Sequence, residues 1–513
     1  MEWFIVALIV FACAGLVIYR GWQFFSELSK LPRSGESGGE SDSGVPGGCH
    51  GCPGREVSAE ELGLKVLPLV QLKGRAESDS QILRVVFVAL FAFAGSCEMA
   101  LGQDIRPPNY DEAIASKFEL GSVLAGPDGR VIASKEAWPA QRKYLVDLLA
   151  ENEYGVQPSD KVQIKTEVFD DGVATLGGET KSNIRRRQIA VVLERGGKQV
   201  RVDLIVWSPK DRERVPCFLG LNFRGNQSTC DDPAIRLTTS WCDSRSPGVV
   251  DNRAMEASRA NQSERWPIAE VVGRGYAVAS AHYSDIDPDF DDGFENGVHA
   301  LFPDWRCDAE HPNRWGSIAA WAWGLSRLAD VLEKLDGIQA DGLMVLGHSR
   351  LGKTALWAGA TDERFRVVIS NNSGCGGAAL SKRIYGESVA RINGVFPHWF
   401  NRNFRKYNDR EETMSFDQHQ LIAAIAPRPV YIASASKDKW ADPLGELLSG
   451  HYASAAYELF GKRGIAEREL PSVNTPIGSD SIGYHLRDGE HDMLLYDWQQ
   501  FMTFAEKTAR KAK

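Results

Sequence analysis

The segment from 343 to 360 constrains the fold of this chain more than any other. It reads as an apolar strand (LMVL), a tight turn (Gly-His-Ser-Arg-Leu-Gly) and a helical run (KTALWAGA). A serine at the apex of such a strand–turn–helix unit is held in a strained conformation, with its hydroxyl exposed above a sheet. The glycines stand two residues before and three residues after the serine, not two on each side. We interpret Ser349 as a nucleophile in preference to an ordinary helix cap.

Short apolar strands alternate with helical stretches over most of the chain after Tyr110. A hairpin pattern, a helical pattern and further strand patterns lie, respectively, at 188–207, at 315–335, and at 216–222, 276–282, 343–346, 366–370 and 429–434. Strands that alternate with helices predict a mainly parallel sheet covered on both faces. Together with the serine turn, this predicts an α/β fold, the α/β-hydrolase three-layer sandwich, over residues 110–513.

A serine hydroxyl needs a base and a carboxylate, which in this fold class follow it along the chain as acid and then histidine. His491 lies in a polar turn after a short strand and is the candidate base. Its rivals are His419, His451 and His485. Asp438 directly follows the strand pattern at 429–434 and is the candidate acid, with Asp442 as a weaker alternative.

The first residues of the chain predict a membrane segment. Residues 3–19 are uninterruptedly apolar, just enough to span a bilayer. Arg20, Lys30 and Arg33 follow and place the C-terminal side of the span in the cytoplasm. We therefore expect a transmembrane helix with a basic flank over 1–33.

Two further segments precede the predicted enzyme. Residues 34–82 form a Gly/Ser-rich linker with Cys49 and Cys52, and no second ligand pair follows to complete a zinc site. Residues 83–103 contain a positive start, a short apolar run and small residues, as in a signal peptide or a second membrane segment. We expect the catalytic domain to be exported (periplasmic, outer-surface or secreted), with the N-terminal segment membrane-inserted if it is retained.

Charge and cysteine content limit the partners. A net charge of −9 argues against a nucleic-acid partner, because phosphate binding needs clustered Lys and Arg. The one markedly basic run, 181–187 (KSNIRRR), is interpreted as a solvated loop face. Cys230 and Cys242 flank a polar loop and could form a disulfide in an oxidising compartment.

Several motifs carry a resemblance to a known family. In chain order they are GHSRLGK, SGCGGAALSKR, YGESVARIN, FPHWF, LIAAIAPRPVYIASASKDKWADP and GYHLRDGEHD. From about Tyr110 onward the chain resembles the bacterial glucuronoyl esterases, carbohydrate esterase family 15. The resemblance implies hydrolysis of the ester between lignin alcohols and the 4-O-methyl-glucuronic acid branches of glucuronoxylan. It implies no metal and no organic cofactor, and we expect a monomeric catalytic domain.

The resemblance also assigns roles to individual residues. Ser349 matches the nucleophile, His491 the histidine, and Arg350 the arginine that helps to bind the oxyanion. The positions that contact the uronate sugar are matched by Lys353, Glu387 and Trp440. Without the resemblance, these three would be interpreted as an exposed lysine, a helix-surface charge and a packed ring.

One departure from the family concerns the acid. Many members carry it as Glu in a segment reading x-Glu-Ser-Gly, and here 371–374 reads Asn-Asn-Ser-Gly. Asn372 thus occupies the acid's place, and an amide cannot stabilise an imidazolium as a carboxylate does. We therefore predict Asp438 as the acid.

Two other functions stay open at this stage. One is an acetyl-xylan or other carbohydrate esterase on the same fold. The other is a catalytically impaired, membrane-tethered carbohydrate-binding protein, which Asn372 brings into consideration.

Overall fold

The computed structural model describes residues 106–510. The segments predicted over 1–33, 34–82 and 83–103 lie outside this range, so their membrane and targeting roles stay predictions. Within 106–510, no helix is both long and apolar enough to cross a bilayer.

The described residues contain strands of 2 to 17 residues and helices of 4 to 16 residues. The strands are β1 (Gln163–Leu176), β2 (Glu179–Arg195), β3 (Lys198–Pro209), β4 (Val215–Asn222), β5 (Val249–Val250), β6 (Arg253–Ala254), β7 (Ala277–His282), β8 (Ile338–His348), β9 (Val367–Asn371), β10 (Val430–Ala435), β11 (Ile477–Gly478) and β12 (Ile482–Arg487). The α-helices are α1 (Glu112–Ala115), α2 (Trp138–Leu149), α3 (Ile268–Gly273), α4 (Tyr283–Ile286), α5 (Ser317–Leu332), α6 (Arg350–Thr361), α7 (Val389–Val395), α8 (Gln418–Ala423), α9 (Pro443–Glu458) and α10 (Leu495–Arg510).

The main sheet has ten strands in the order β1-β2-β3-β7-β4-β8-β9-β10-β12-β11. The six strands from β7 to β12 in this order are parallel to one another. β1, β2 and β3 add an antiparallel edge, and β11 adds a short antiparallel strand at the other edge. The predicted mainly parallel sheet is therefore present, with the antiparallel meander beside it.

Helices cover both faces of this sheet. One face packs α5, α6 and α9 into a large apolar core with the fully buried Trp321 and Trp357. The other face packs α3 and α10 around Trp266 and Trp498. The parallel strands are buried almost throughout, as expected for strands covered on both faces. This is the predicted three-layer arrangement.

The sheet brings the candidate catalytic residues together at the carboxyl ends of its parallel strands. Ser349 follows β8, Asn372 follows β9, Asp438 comes shortly after β10, and His491 comes shortly after β12. These four strands are successive parallel neighbours, so their carboxyl ends lie side by side. Open α/β sheets form their sites at this edge.

The interpretation of 181–187 as a solvated loop is wrong. These residues lie in the middle of β2, which pairs with the unpredicted strand β1. Arg186 is buried and forms ion pairs with Asp170 and Asp232. Arg187 is buried as well. Arg186 thus pairs with a carboxylate in the interior, while Ser182 and Asn183 in the same run are exposed.

The possible disulfide between Cys230 and Cys242 is not formed. Both are buried free thiols, and burial raises the pKa of each to about 12. Cys230 belongs to the apolar core cluster that also contains Trp266. Cys242 packs in a separate small cluster with Val249 and Ala254. The two thiols belong to different parts of the interior.

Candidate active site

Ser349 lies at the junction between β8 and α6 in a strained conformation. Its φ of 57° and ψ of −130° fall in a region that costs a non-glycine residue on the order of 1–3 kcal/mol. Its backbone N–H donates to the carbonyl of Asn371 at 2.9 Å, which ties the turn to the end of β9. The predicted nucleophile elbow is present.

Two glycines allow strand and helix to approach at this turn. A Cβ on Gly347 would lie 1.9 Å from the carbonyl oxygen of Leu351, so no side chain fits there. A Cβ on Gly352 would lie 3.0 Å from the Cβ of Ser373. Leu351 itself is buried in the core below α6. The glycine three residues after the serine, Gly352, thus leaves room for the close approach of Ser373.

His491 and Asp438 are in direct contact. The Nδ1 atom of His491 lies 2.6 Å from Oδ2 of Asp438, and the carboxylate is 2 % exposed. Burial by itself would raise the pKa of Asp438. The charge of the His491 ring and hydrogen bonds from His491, Asn372 and the Ala441 amide outweigh burial and hold this pKa below its ordinary value. The structure therefore brings the predicted base and acid together, with the acid ionised.

Asn372 has a defined contact with this acid. Its Nδ2 donates to Oδ2 of Asp438 at 2.8 Å, the same oxygen that faces His491. Its φ of 47° is left-handed, a conformation that Asn tolerates better than most residues. The residue at the family acid's place thus helps to hold the carboxylate at the other position.

The rival candidates are all engaged elsewhere. Asp442 pairs with the buried Arg383 at 2.8 Å and caps α9 through the Gly445 amide. His485 is buried, with Nε2 2.8 Å from Asp497. The other two candidate bases, His419 and His451, form hydrogen bonds with backbone carbonyls.

The loop that carries His491 is held from beneath by Arg487. This guanidinium is buried and donates to the carbonyls of Asp488, Glu490 and Asp492 at 2.7–3.0 Å. Its Nε donates to Asp497 at 3.0 Å. One side chain therefore satisfies three loop carbonyls around the candidate base.

We expect Arg487→Met to lower both stability and turnover. Removing one partner of a buried ion pair costs about 3 kcal/mol, and a loosened base costs roughly tenfold in kcat. Thermal unfolding and steady-state rates measure the two effects. Arg410→Met, at an exposed arginine, is the matched control. An Arg487→Met protein that matches this control would show that Arg487 does not hold the loop.

Arg350, the first residue of α6, is surrounded by aromatic rings. Its guanidinium carbon lies 4.7 Å from the Trp399 ring centroid, 5.3 Å from Phe396 and 5.8 Å from Phe223. It also forms an ion pair with the buried Asp289. These contacts place a cation beside the candidate nucleophile.

The three candidate sugar-binding residues also come together. Lys353 is buried and its Nζ donates to the Ser373 carbonyl. The Glu387 amide donates to the Trp440 carbonyl at 3.1 Å, which ties the two residues together. Burial raises the pKa of Glu387, although Lys353 and Arg350 oppose the rise. The interpretation of Lys353 as an exposed lysine is therefore excluded.

These residues surround one cleft. Its lining residues are Ser349, Arg350, Lys353, Asn372, Ser373, Gly374, Glu387, Phe396, Trp399, Trp440, Ala441 and His491. Asp438 lies behind His491. Phe396 and Trp399 were not predicted as site residues, although the FPHWF motif contains both. Across residues 106–510, no group of three or more His, Cys, Asp or Glu is arranged to hold a metal ion.

A buried carboxylate on α9, Glu446, was also missed. It accepts from the backbone amides of Ser373 and Gly374 at 2.7 and 3.0 Å, and from the Ser434 hydroxyl. Burial raises its pKa to about 7, against these hydrogen bonds. Glu446 therefore fixes the loop from which Asn372 reaches Asp438, and no local sequence signal marks it.

Several known proteins are similar to this chain in sequence. A family model described as "Glucuronyl esterase, fungi" matches residues 309–461. Carbohydrate esterase MZ0003, from an unknown prokaryotic organism, is 44% identical over 405 residues, which cover 78% of this chain and 91% of that protein. The 4-O-methyl-glucuronoyl methylesterase of Podospora anserina is 31% identical over 179 residues, 33% of this chain and 34% of that protein.

Two solved structures are also similar to this chain. A promiscuous esterase of carbohydrate esterase family 15 from a marine bacterial metagenome has a TM-score of 0.72 and 42% identity, covering 78% of this chain and 100% of that chain. A glucuronoyl esterase from Solibacter usitatus has a TM-score of 0.70 and 37% identity, with the same coverage.

Proposed function

Because this chain belongs to the glucuronoyl esterases of carbohydrate esterase family 15 and is a carboxylic ester hydrolase, we propose that it cleaves the ester between lignin alcohols and (4-O-methyl-)glucuronic acid of glucuronoxylan. The observation that carries the proposal is the cleft itself. A strained serine and a histidine–carboxylate pair line or adjoin the same cleft as Lys353, Glu387 and Trp440. A cation and a carboxylate can form hydrogen bonds with the hydroxyls of the uronate sugar, and an indole can stack on the sugar face.

The proposed reaction begins with acyl transfer to the serine. Ser349 Oγ attacks the ester carbonyl while Nε2 of His491 takes its proton, and Asp438 stabilises the imidazolium through Nδ1. Arg350 faces the negative charge that develops on the carbonyl oxygen. An oxyanion donor of this kind contributes on the order of 3 kcal/mol to the transition state. His491 then returns its proton to the departing alcohol.

The second step releases the acid. A water molecule, deprotonated by His491, attacks the glucuronoyl ester on Ser349 and regenerates the free serine. The same base, acid and oxyanion donor serve both steps. No step in this scheme draws on a metal or an organic cofactor.

The contact between His491 and Asp438 favours this proposal over an impaired binding protein. The carboxylate is ionised, nearly fully buried and 2.6 Å from the ring nitrogen that must be held. Asn372 supports that carboxylate at 2.8 Å, so the missing family glutamate does not leave the base without an acid.

The substrate class is tested by comparing two esters. We expect kcat/KM for methyl glucuronate to exceed that for acetylated xylan, measured as released methanol and released acetate. A clear preference for acetyl groups would replace the proposal with the acetyl-xylan alternative. Equal activity on both esters would indicate that Lys353 and Glu387 do not select uronate esters.

We expect Lys353→Met to weaken the binding of uronate esters and to affect an ester without a sugar much less. The buried ammonium lines the cleft and is proposed to bind the sugar, so its loss should raise KM for methyl glucuronate about 10- to 100-fold. The rate on 4-nitrophenyl acetate, which lacks the sugar, should change less than about threefold. Lys439→Met, at the exposed lysine beside Trp440, is the matched control. A parallel loss on both esters would mean that Lys353 supports the fold and not the substrate.

A further inference from the structure

A buried carboxylate, Asp289, lies against the arginine of the cleft. It follows α4 along the chain, and its side chain is 3 % exposed. It pairs with Nη1 of Arg350. It also accepts from His398 Nε2 at 2.9 Å, from the Trp399 indole at 2.6 Å and from the Tyr283 hydroxyl at 3.1 Å. Arg350 lines the cleft, whereas Asp289 is not among the lining residues.

The two oxygens of Asp289 have different partners. Oδ1 receives His398 and Trp399, whereas Oδ2 receives Arg350 and Tyr283. The carboxylate cannot turn without breaking bonds to side chains on three separate segments. Burial alone would raise its pKa, but the Arg350 charge and the His398 bond dominate and keep the pKa of Asp289 well below its usual range. The group is a fixed negative charge.

The ion pair with Asp289 gives Arg350 a directional contact that its cation–π contacts do not supply. Cation–π contacts with Trp399, Phe396 and Phe223 hold the guanidinium among the rings but do not fix its rotation. A charge-assisted hydrogen bond at one nitrogen fixes both position and direction. We propose that Asp289 is a positioning residue that holds one end of the Arg350 guanidinium, so that the rest stays aimed into the cleft at the ester oxygen. The proposal rests on the proposed function, in which Arg350 binds the oxyanion.

Two effects of Asp289 oppose each other. Its negative charge weakens the field of Arg350 at the substrate, whereas its bond to Nη1 keeps the arginine in place. Oxyanion stabilisation depends on donors that are fixed before the reaction, and loss of one donor lowers kcat by about 10²- to 10³-fold. Orientation therefore outweighs the partial neutralisation. Removing the charge should lower the rate, not raise it.

The first test is Asp289→Asn, which keeps the size of the side chain and removes the ion pair. We expect kcat on methyl glucuronate to fall on the order of 10- to 100-fold, with KM changed less than about threefold. Asp291→Asn alters an exposed carboxylate two residues away and should match the wild type. An unchanged or increased kcat in a folded Asp289→Asn protein would overturn the proposal.

Combination with Arg350→Ala separates positioning from a structural role. If Asp289 acts through Arg350, adding Asp289→Asn to Arg350→Ala should cause no further loss of kcat. An equal loss in both backgrounds would overturn the proposal, because the effect would then bypass the arginine. If Arg350→Ala alone has wild-type kcat, the failure lies in the oxyanion role of Arg350 and removes the basis of the proposal.

A second variant covers the case in which Asp289→Asn does not fold. Asp289→Glu keeps the buried charge for its four donors but displaces the carboxylate by one methylene. We expect a kcat roughly 3- to 10-fold below wild type with KM nearly unchanged. Wild-type kcat in this variant, with thermal unfolding confirming a folded protein, would contradict the positioning role.

Discussion

Replacing Ser349 by Ala should lower kcat for methyl glucuronate by about 10⁵- to 10⁶-fold. The serine oxygen forms the covalent bond of the acyl-enzyme, and neither His491 nor Arg350 can replace it as the nucleophile. A small residual rate over water should survive, because the oxyanion donors and the sugar-binding residues remain. Rates of methanol release measure the loss, and Ser472→Ala, at an exposed serine, is the control.

Binding should survive this substitution. The Ser349→Ala cleft keeps Lys353, Glu387 and Trp440, so calorimetry should detect methyl glucuronate with an affinity near the wild-type KM. Loss of chemistry with retained binding distinguishes a missing nucleophile from a misfolded protein. Activity within tenfold of wild type in Ser349→Ala would show that another group attacks the ester.

Asp438→Asn should lower kcat by about 10⁴-fold. The amide cannot stabilise the imidazolium, and it can present an N–H toward Nδ1 of His491, which favours the wrong tautomer. Steady-state rates on methyl glucuronate measure the effect. Asp442→Asn is the matched control, since it should reduce thermal stability through Arg383 while each folded molecule keeps its turnover. Unchanged turnover in Asp438→Asn would mean that the acid lies elsewhere.

The acid should be transferable to the neighbouring position. Asn372 Nδ2 lies 2.8 Å from the Asp438 oxygen that contacts His491, so Asn372→Glu can bring a carboxylate near the ring. Added to Asp438→Asn, it should restore roughly 10- to 100-fold of the lost kcat. The rescue is partial because a left-handed backbone disfavours Glu by about 1 kcal/mol. No rescue would indicate that only the Asp438 position can serve His491.

The sequence predicted the parts of the site that local patterns encode. The strand, turn and helix around Ser349 are contiguous, so the elbow and its strain follow from one segment. Asp438 and His491 each come shortly after a recognisable strand, and strand order along the chain matches their order in the sheet. Local patterning therefore sufficed to predict that Ser349, Asp438 and His491 come together, whereas their catalytic roles stay predictions.

The missed features depend on contacts between distant segments. Asn372 looked like a lost acid, whereas its contact with Asp438 crosses 66 residues of chain. Asp289 meets Trp399 across 110 residues. The basic run that includes Arg186 was interpreted as solvated because its buried partner Asp232 is 46 residues away. Such pairs exist only after the sheet has assembled, and no spacing rule in the sequence reports them.

The proposed function requires Ser349 to be an activated nucleophile inside a uronate-binding cleft. This requirement is tested most directly by labelling the full chain with a fluorophosphonate probe, with and without excess methyl glucuronate, and locating the adduct by peptide mass spectrometry. We expect a single adduct on Ser349 that forms slowly until the ester is consumed and rapidly afterwards. No adduct, an adduct on another residue, or labelling that the ester does not delay would contradict this requirement.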